Sequence, residues 1–112
     1  MFRRGEVYYA DLNPQTGSEQ SGRRPVLIVQ IDILNRAGNT IIAIPFTTNL
    51  KRAILPSSVF VNKGEGGLSE DSVALCHQIR ALDKSRLVGL VGQLSSQTMA
   101  AVEEKIRLTL GL

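Results

Sequence analysis

The sequence predicts a small, mainly β (α+β) protein in which a strongly bent sheet or barrel is followed by one packing helix. Two observations support this fold class. Short runs rich in Val, Ile and Tyr recur over residues 5–91, separated by turns that contain Gly, Asn or Pro. The end of the chain instead repeats apolar residues at spacings of three and four. The 112 residues, 43% of them hydrophobic, suffice for one domain over residues 1–112 with a single core.

Five or six strands are predicted from the apolar runs. In chain order they are residues 5–12 (GEVYYADL), 26–31 (VLIVQI), 40–46 (TIIAIPF), 57–62 (SSVFVN), 72–79 (SVALCHQI) and a short piece near 86–91 (RLVGLV). Asn13-Pro14 ends the first strand, and NRAGN at 35–39 predicts a turn. Pro45 has no N–H for a ladder and therefore indicates a sheet edge or a bulge.

The C-terminal segment has the pattern of an amphipathic helix of about four turns. Met99, Val102, Ile106 and Leu110 form its apolar stripe. Ser95 or Ser96 can cap its start and Gly111 can end it, while Glu103 and Arg107 lie four apart in the favourable order.

Composition and charge limit the class of protein. The formal net charge of +3 permits an anionic partner such as nucleic acid, but many small proteins carry as much. One cysteine, Cys76, excludes an intrachain disulfide and fits a reducing compartment. The start lacks the apolar stretch of a signal peptide, and the longest apolar run is too short to span a bilayer. We expect a soluble cytoplasmic protein.

The residues that support metal or cofactor chemistry are few. His77 is the only histidine, and its neighbour Cys76 would point to the opposite face of a strand, so the two cannot share a metal. The acidic pairs Glu70-Asp71 and Glu103-Glu104 are isolated and are interpreted as solvated faces. A Ser-His-Asp pattern, a phosphate-binding glycine loop and a dinucleotide fingerprint are all missing. No cofactor is expected.

Arginine is the remaining candidate for chemistry. Arg24 precedes Pro25, so its backbone is driven towards an extended conformation beside a core strand. A guanidinium fixed there presents a rigid set of donors that suits phosphate oxygens. The hydroxyls and cations of FTTNLKR at 46–52 are consistent with a phosphate pocket. From composition alone an ordinary surface arginine at a strand entrance is the favoured interpretation of Arg24, and an ordinary polar turn explains residues 46–52 equally well.

Several stretches together resemble the MazF/PemK family of bacterial toxin endoribonucleases. They are RRGEVYYADLNP at 3–14, GSEQSGRRPVLIVQ at 17–30, IPFTTNLKRAILP at 44–56 and DSVALCHQIRALDKSRL at 71–87. The resemblance implies an SH3-like β-barrel core of the PemK/MazF/CcdB type and a homodimer. It also implies metal-independent cleavage of single-stranded RNA (mRNA) at a short sequence, with arrest of translation and growth, and a cognate MazE-like antitoxin that blocks the RNA groove.

The resemblance assigns the catalytic arginine to Arg24 and its partner threonine to Thr47, and matches Glu19 to a loop that closes over RNA. Without a metal-bound hydroxide, the nucleophile would be the ribose 2′-OH, which DNA lacks. Arg24 would supply charge to the phosphoryl oxygens and Thr47 a hydrogen bond. Arginine is a poor base, so Glu19 is the candidate proton acceptor.

The expected RNA-binding residues are the polar side chains near these positions: Ser18, Gln20, Arg23, Lys51, Ser72, His77 and Gln78. His77 departs from the family pattern, where its position is often acidic. It is either a neutral strand histidine with no special task, or a base contact that alters which sequence is cut and makes cleavage sensitive to pH. Thr48 is expected on the opposite side of the strand from Thr47.

Two other functions remain open. Inhibitors of DNA gyrase share the barrel and act by protein contact without chemistry, and they would need no Arg24–Thr47 pair. A non-catalytic nucleic-acid-binding barrel would use the basic residues only to hold phosphate, which predicts salt-sensitive binding without cleavage.

Overall fold

The structure, a computed structural model, describes residues 1–12, 17 and 22–112. In these residues the strands are β1 (Glu6–Asp11), β2 (Arg23–Ile28), β3 (Thr40–Thr47), β4 (Ser58–Val61), β5 (Ser72–Leu75), β6 (Arg80–Asp83) and β7 (Leu87–Gln93). The helices are α1 (Asp32–Ala37) and α2 (Ser96–Leu110). The predicted mainly β class with a C-terminal helix is confirmed.

One antiparallel sheet contains all seven strands, in the order β4-β5-β3-β2-β1-β7, with β6 also paired to β3. The central strand β3 has β2 on one side, and on the other side β6 along its first half and β5 at its end. No recorded pairing joins the outer strands β4 and β7 within the described ranges, so hydrogen bonds do not close the expected barrel there.

Pro45 lies in an inner strand and pairs with Val26 in regular register, so the expectation of a sheet edge or a bulge at this residue was wrong. The N–H of Val29 donates to the carbonyl of Ile42 at 3.1 Å. In an antiparallel sheet, the backbone groups of successive residues point alternately to the two neighbouring strands. Residues 42 and 44 therefore bond to β2, and the backbone of Pro45 points to the other side of β3. On that side the pairing with β6 ends at Ala43 and the pairing with β5 begins at Phe46. The missing N–H of Pro45 therefore falls in a gap between two partner strands, where it interrupts no ladder.

Two clusters of buried side chains lie on opposite faces of the sheet. Alternation along β2 illustrates this, because Leu27 belongs to one cluster while Val26 and Ile28 belong to the other. Helix α2 adds Met99 and Val102 to the cluster that contains Leu27. The sheet is thus covered on that face by the helix that the apolar stripe predicted.

Four local elements differ from the sequence prediction. Strand β2 is Arg23–Ile28, whereas residues 26–31 were expected. The short helix α1 includes residues 35–37 of the turn expected at 35–39, and buried Asn35 fixes it by bonding to both the side chain and the carbonyl of Gln30 at 2.9 Å. Strand β6 was missed, since its sequence RALD carries charges at both ends. Residues Cys76–Gln78, predicted as the end of a strand, form a 3₁₀ turn.

Helix α2 begins and ends as predicted. The side chain of Ser95 accepts a hydrogen bond from the N–H of Thr98 at 3.2 Å, and Gly111 ends the helix in the left-handed conformation. Glu103 pairs with Arg4, with 2.6 Å between Nη2 and Oε2, which ties the helix to the N-terminus. Within the described residues, neither helix is long and apolar enough to cross a bilayer.

The close approach of β7 to the turn at Glu65–Gly67 gives a test of the fold. A Cβ added to Gly92 would lie 2.5 Å from the carbonyl oxygen of Gly66, whereas a Cβ on Gly89 of the same strand meets nothing within 4 Å. We expect Gly92→Ala to lower the free energy of unfolding by about 1–3 kcal/mol through overpacking. Gly89→Ala, the matched control, should stay within about 0.5 kcal/mol of the parent. Urea denaturation at equal protein concentrations measures both, and equal stability of the two variants would contradict the packing.

Candidate active site

A pocket of about 270 Å³ opens at the end of the sheet where β2 begins and β3 ends. Its wall combines residues from five places in the sequence, at positions 9, 23–25, 46–48, 68–70 with 72, and 91. Tyr9 and Pro25 contribute apolar surface from β1 and β2, together with Phe46 of β3. The polar lining consists of Arg23, Arg24, Thr47, Thr48, Ser69, Glu70 and Ser72.

The pocket exists because β2 and β3 stop pairing before either strand ends. Their ladder runs from Ile28–Ala43 to Val26–Pro45. If this ladder continued by two more residues in the same register, Arg24 would lie directly opposite Thr47. Beyond Pro45, however, β3 pairs with β5 on its other side. Arg24 and Thr47 therefore border an opening instead of a hydrogen-bonded ladder.

Arg24 is held more firmly than Arg23. Its backbone is paired with Ala10, a fully buried residue of β1, and the ring of Pro25 follows it directly. The side chain is partly buried, whereas that of Arg23 is exposed at the strand's first position. Both arginines line the pocket, and arginine side chains there suit the binding of an anion.

Thr47 presents a hydroxyl that already accepts one hydrogen bond. The residue is only 7% exposed, and its Oγ1 accepts a hydrogen bond from the N–H of Asn49 at 3.1 Å. The hydroxyl hydrogen is thereby available to donate towards the pocket. Thr48 does not follow the expectation of a side chain on the far side of the strand: β3 ends at Thr47, and the exposed Thr48 also lines the pocket.

The segment before β5 contributes Glu70 and Ser72. Ser72 is 3% exposed and its Oγ donates to the carbonyl of Glu70 at 2.9 Å. On the other side of Glu70, Leu68 is anchored in the core at 4% exposure. The neighbouring Asp71 has a structural task, because its Oδ1 accepts the N–H of Lys63 at 2.8 Å. The sequence interpretation of Glu70-Asp71 as one solvated pair thus missed that Glu70 lines the pocket.

Tyr9 is the second lining residue that the sequence analysis missed. It lies in β1 opposite Pro25 on one side and Gly89 on the other, and its side chain is 41% exposed. Gly89 places no side chain opposite Tyr9. An exposed aromatic ring beside cations is a surface on which nucleic-acid bases stack. An alternation pattern in the first strand could have singled it out, since Tyr9 is the exposed residue between a half-buried Tyr8 and the buried Ala10.

Three predicted RNA-binding residues, Lys51, His77 and Gln78, do not line this pocket. Lys51 lies in a 3₁₀ turn after β3, with its N–H bonded to the side chain of Asn49 at 3.2 Å. His77 and Gln78 lie in the turn after β5. The predicted loop residues Ser18, Glu19 and Gln20 lie outside the described residues.

His77 is exposed, and its Nδ1 lies 3.1 Å from the hydroxyl of Ser57. Partial burial, with the positive charge of Arg52 as a second cause, lowers the pKa of this imidazole below its ordinary value. The side chain is therefore mostly neutral at pH 7. The sequence interpretation expected this histidine to change its charge near neutrality, and the lowered pKa moves that change to a lower pH.

Cys76 is buried and His77 is exposed, which separates the two side chains. They lie in a 3₁₀ turn, so the strand alternation expected from the sequence does not apply to them. Burial raises the pKa of the Cys76 thiol to about 11, so this sulfur stays protonated and unreactive at neutral pH. In residues 1–12, 17 and 22–112, His, Cys, Asp and Glu side chains form no cluster of three or more that could hold a metal ion.

Comparison with known proteins places this pocket in a family context. The profile of the PemK-like, MazF-like toxins of type II toxin-antitoxin systems matches residues 3–110. The chain belongs to this toxin family. The predicted family is thus confirmed.

Curated relatives within the PemK/MazF family align over the whole chain. Endoribonuclease EndoA of Bacillus subtilis is 43% identical over 100% of this chain and 97% of its own length. Endoribonuclease MazF of Staphylococcus saprophyticus is 45% identical over 100% of this chain and 93% of its own. A mycobacterial endoribonuclease solved in complex with its cognate antitoxin is 27% identical and superposes with a TM-score of 0.84, covering 100% of this chain and 97% of that one. None of these names supports the gyrase-inhibitor alternative.

The electrostatic influence of Arg52 on His77 can be measured directly, because the chain has a single histidine. Arg52→Gln removes a positive charge that disfavours the imidazolium, so the His77 pKa should rise towards its ordinary value and stay below it because burial remains. An NMR titration of the imidazole gives the pKa. Arg36→Gln, an exposed arginine on α1, is the control and should leave the pKa unchanged. An unchanged pKa in Arg52→Gln would contradict the assigned cause.

Proposed function

We propose that this chain is the toxin of a type II toxin-antitoxin system and acts in the cytoplasm as a metal-independent endoribonuclease that cuts single-stranded RNA at a short sequence. The observation that carries the proposal is the opening between β2 and β3, where Arg24 and Thr47 face one pocket. It is supported by two relatives more than 40% identical over the full chain, both named endoribonucleases.

The reaction that fits these residues uses the substrate's own 2′-OH as the nucleophile. The 2′-oxygen attacks the adjacent phosphorus and the P–O5′ bond breaks, which gives a 2′,3′-cyclic phosphate and a free 5′-OH. Negative charge builds on the non-bridging phosphoryl oxygens as the new bond forms. The guanidinium of Arg24 and the hydroxyl of Thr47 are donors that strengthen their bonds to those oxygens in the transition state.

The requirement for a 2′-OH makes the pocket selective for RNA over DNA without any contact that reads the sugar. Arg23 adds charge at the pocket mouth, and the open face of Tyr9 offers a stacking surface for a neighbouring base. Single-stranded RNA fits these features because its bases are free to stack on a side chain.

Sequence selection is assigned to residues beyond the pocket. Thr47 pairs with Val73 in β5, and β5 leads directly to the turn with His77 and Gln78. Val73 and His77 are separated by at most about 13 Å at ~3.3 Å per residue, so a bound RNA strand can reach both places. With Lys51 and Ser72, these residues form the proposed RNA-binding surface outside the cleavage point; Ser18 and Gln20 are assigned to it on the sequence alone.

Two protein partners are part of the proposal. A cognate MazE-like antitoxin is expected to block the pocket, since the mycobacterial and Deinococcus radiodurans relatives were solved in complexes with their antitoxins. A homodimer is expected from the family resemblance. Exposed apolar side chains in and around α1, namely Ile31, Ile33 and Leu34, with Ile42 of β3, offer surface for protein contact.

The catalytic assignment is tested with purified protein and single-stranded RNA in excess EDTA. We expect the parent to cleave, Arg24→Ala to lose cleavage, and Thr47→Val to lose about a hundredfold in rate, the contribution of one well-placed donor. Arg23→Ala and Thr48→Val, which remove the neighbouring cation and hydroxyl of the same pocket, should lose much less. No cleavage by the parent in EDTA, with salt-sensitive RNA binding retained, would favour a non-catalytic RNA-binding protein. Parental rates in Arg24→Ala would refute the role of that residue.

The role of His77 in sequence selection is tested separately. His77→Glu replaces a mostly neutral ring, able to stack and to donate, with a carboxylate that only accepts hydrogen bonds. We expect the sequences cut to change while Arg24 and Thr47 remain required. Sequencing the 5′ ends of RNA cut by the two proteins measures this. An identical set of cut sites and an identical pH profile would show that His77 has no such task.

A further inference from the structure

We infer that Ser57 positions the imidazole of His77 so that its Nε2–H donates a hydrogen bond to the keto oxygen of a guanine or uracil in the bound RNA. The inference rests on the proposed ribonuclease function and deepens it, because it names the class of base that His77 selects and adds Ser57 as a positioning residue. Its basis is the contact of 3.1 Å between Nδ1 of His77 and the hydroxyl of Ser57.

The two side chains stand on backbone that the sheet holds in place. Strands β4 and β5 pair antiparallel, with Ser58 opposite Leu75. Ser57 directly precedes β4, and its carbonyl accepts the N–H of Cys76, the residue after β5, at 3.2 Å. Cys76 is fully buried in the core, and His77 follows it. Ser57 therefore contacts the imidazole across a fixed pair of strand ends.

The position of the ring proton follows from a count of donors and acceptors. Partial burial and the positive charge of Arg52 lower the pKa of the His77 imidazole, so at pH 7 the ring is mostly neutral and carries one N–H. If Nδ1 carried that proton, the hydroxyl hydrogen of Ser57 would need another acceptor, and the described residues offer it none. If Nε2 carries it, Nδ1 accepts the hydroxyl hydrogen. Since Ser57 is partly buried and His77 is exposed, water reaches the ring more easily than the hydroxyl, which favours this second arrangement.

The Nε2–H tautomer gives the turn a defined preference among the bases. Nε2 lies on the other side of the ring from the nitrogen that contacts Ser57, and the exposed residue can present it to RNA. Guanine carries an acceptor, O6, and uracil an acceptor, O4, where adenine and cytosine carry amino donors. A donor at this place pairs with a keto oxygen, whereas two donors that face each other leave both hydrogens without an acceptor. His77 is therefore expected to select guanine or uracil and to reject adenine and cytosine.

The charge next to the imidazole does not oppose this preference. Among the described residues, the charge that acts on the His77 pKa is that of Arg52, and no carboxylate contributes. A guanidinium only donates hydrogen bonds, so it offers no acceptor to the amino group of adenine or cytosine.

The tautomer can be measured without RNA, because His77 is the only histidine of the chain. An NMR spectrum that correlates ring nitrogens with ring hydrogens, recorded above the imidazole pKa, shows which nitrogen carries the proton. We expect Nε2 to carry it in the parent and in Ser57→Thr, which keeps the hydroxyl, and the Nδ1–H form to increase in Ser57→Ala. Ser96→Ala, which removes an exposed serine at the start of α2, is the control and should match the parent. A parent protonated mainly at Nδ1 would overturn the inference.

The base preference is measured with the full-length protein in EDTA on RNA of random sequence. We expect one position of the cut sites to hold guanine or uracil for the parent and adenine or cytosine for His77→Glu, because a carboxylate only accepts. Short RNAs then test the keto oxygen itself. If guanine is the base, inosine, which keeps O6, should be cut like guanosine, and 2-aminopurine riboside, which lacks O6, about tenfold less efficiently in kcat/KM. If uracil is the base, the pyrimidine riboside without O4 should show the same loss.

The role of Ser57 is tested on the same short RNAs. Ser57→Ala should reduce the discrimination between keto and amino bases while the preferred RNA is still cut, and Ser57→Thr should restore it. A merely structural serine would instead lower kcat/KM equally for all of these RNAs, and that result would overturn the positioning role.

The remaining outcomes separate this inference from the proposed function. A parent that cuts no RNA would refute the ribonuclease, and the tautomer and the binding of the same short RNAs would still measure the preference for a keto base. A cleaving parent whose cut sites are identical to those of His77→Glu, or that accepts keto and amino bases equally at every position changed by this variant, would overturn the inference alone.

Discussion

The early end of the ladder between β2 and β3 is the constraint on which the candidate site depends. A sheet strand can bond to two neighbours, and β3 exchanges its partners around Pro45. Before Pro45, the backbone groups of β3 bond alternately to β2 and to β6. After Pro45, β3 pairs with β5. The proline is suited to the exchange because it has no N–H that the gap would leave unsatisfied. The opening that results is a consequence of backbone pairing, and the side chains only line it.

The charges of the pocket follow from the same geometry. Pro25 and the pairing with Ala10 fix Arg24 at the entrance of β2, while Ser72 fixes the segment that carries Glu70. Residues of opposite charge thus line one cavity from β2 and from the segment before β5, which do not pair with each other.

The sequence predicted what depends on local patterns and missed what depends on tertiary contacts. The cap at Ser95, the end at Gly111 and the span of β3 depend on neighbouring residues, and they were predicted correctly. Helix α1 depends on the buried amide of Asn35 and β6 on pairing with residues 40–43, which no local window contains. In the same way, Arg24 and Thr47 could be singled out from motifs, whereas Glu70 was found to line the pocket only when β5 was placed beside β3.

The proposed placement of chemistry and sequence selection at two ends of one strand has a physical consequence. Ser72, at the start of β5, borders the pocket, while His77 follows the other end of the strand next to Ser57 and Arg52. Since the strand itself is buried and rigid, the spacing between the two regions is fixed. A change of side chain in the turn can then alter which base is accepted without moving Arg24 or Thr47.

Because the cleavage pocket needs only a phosphate and a 2′-OH, which every nucleotide of RNA offers, sequence preference has to come from contacts outside it. The turn is suited to that task, because His77 is exposed there while Cys76 anchors the turn in the core.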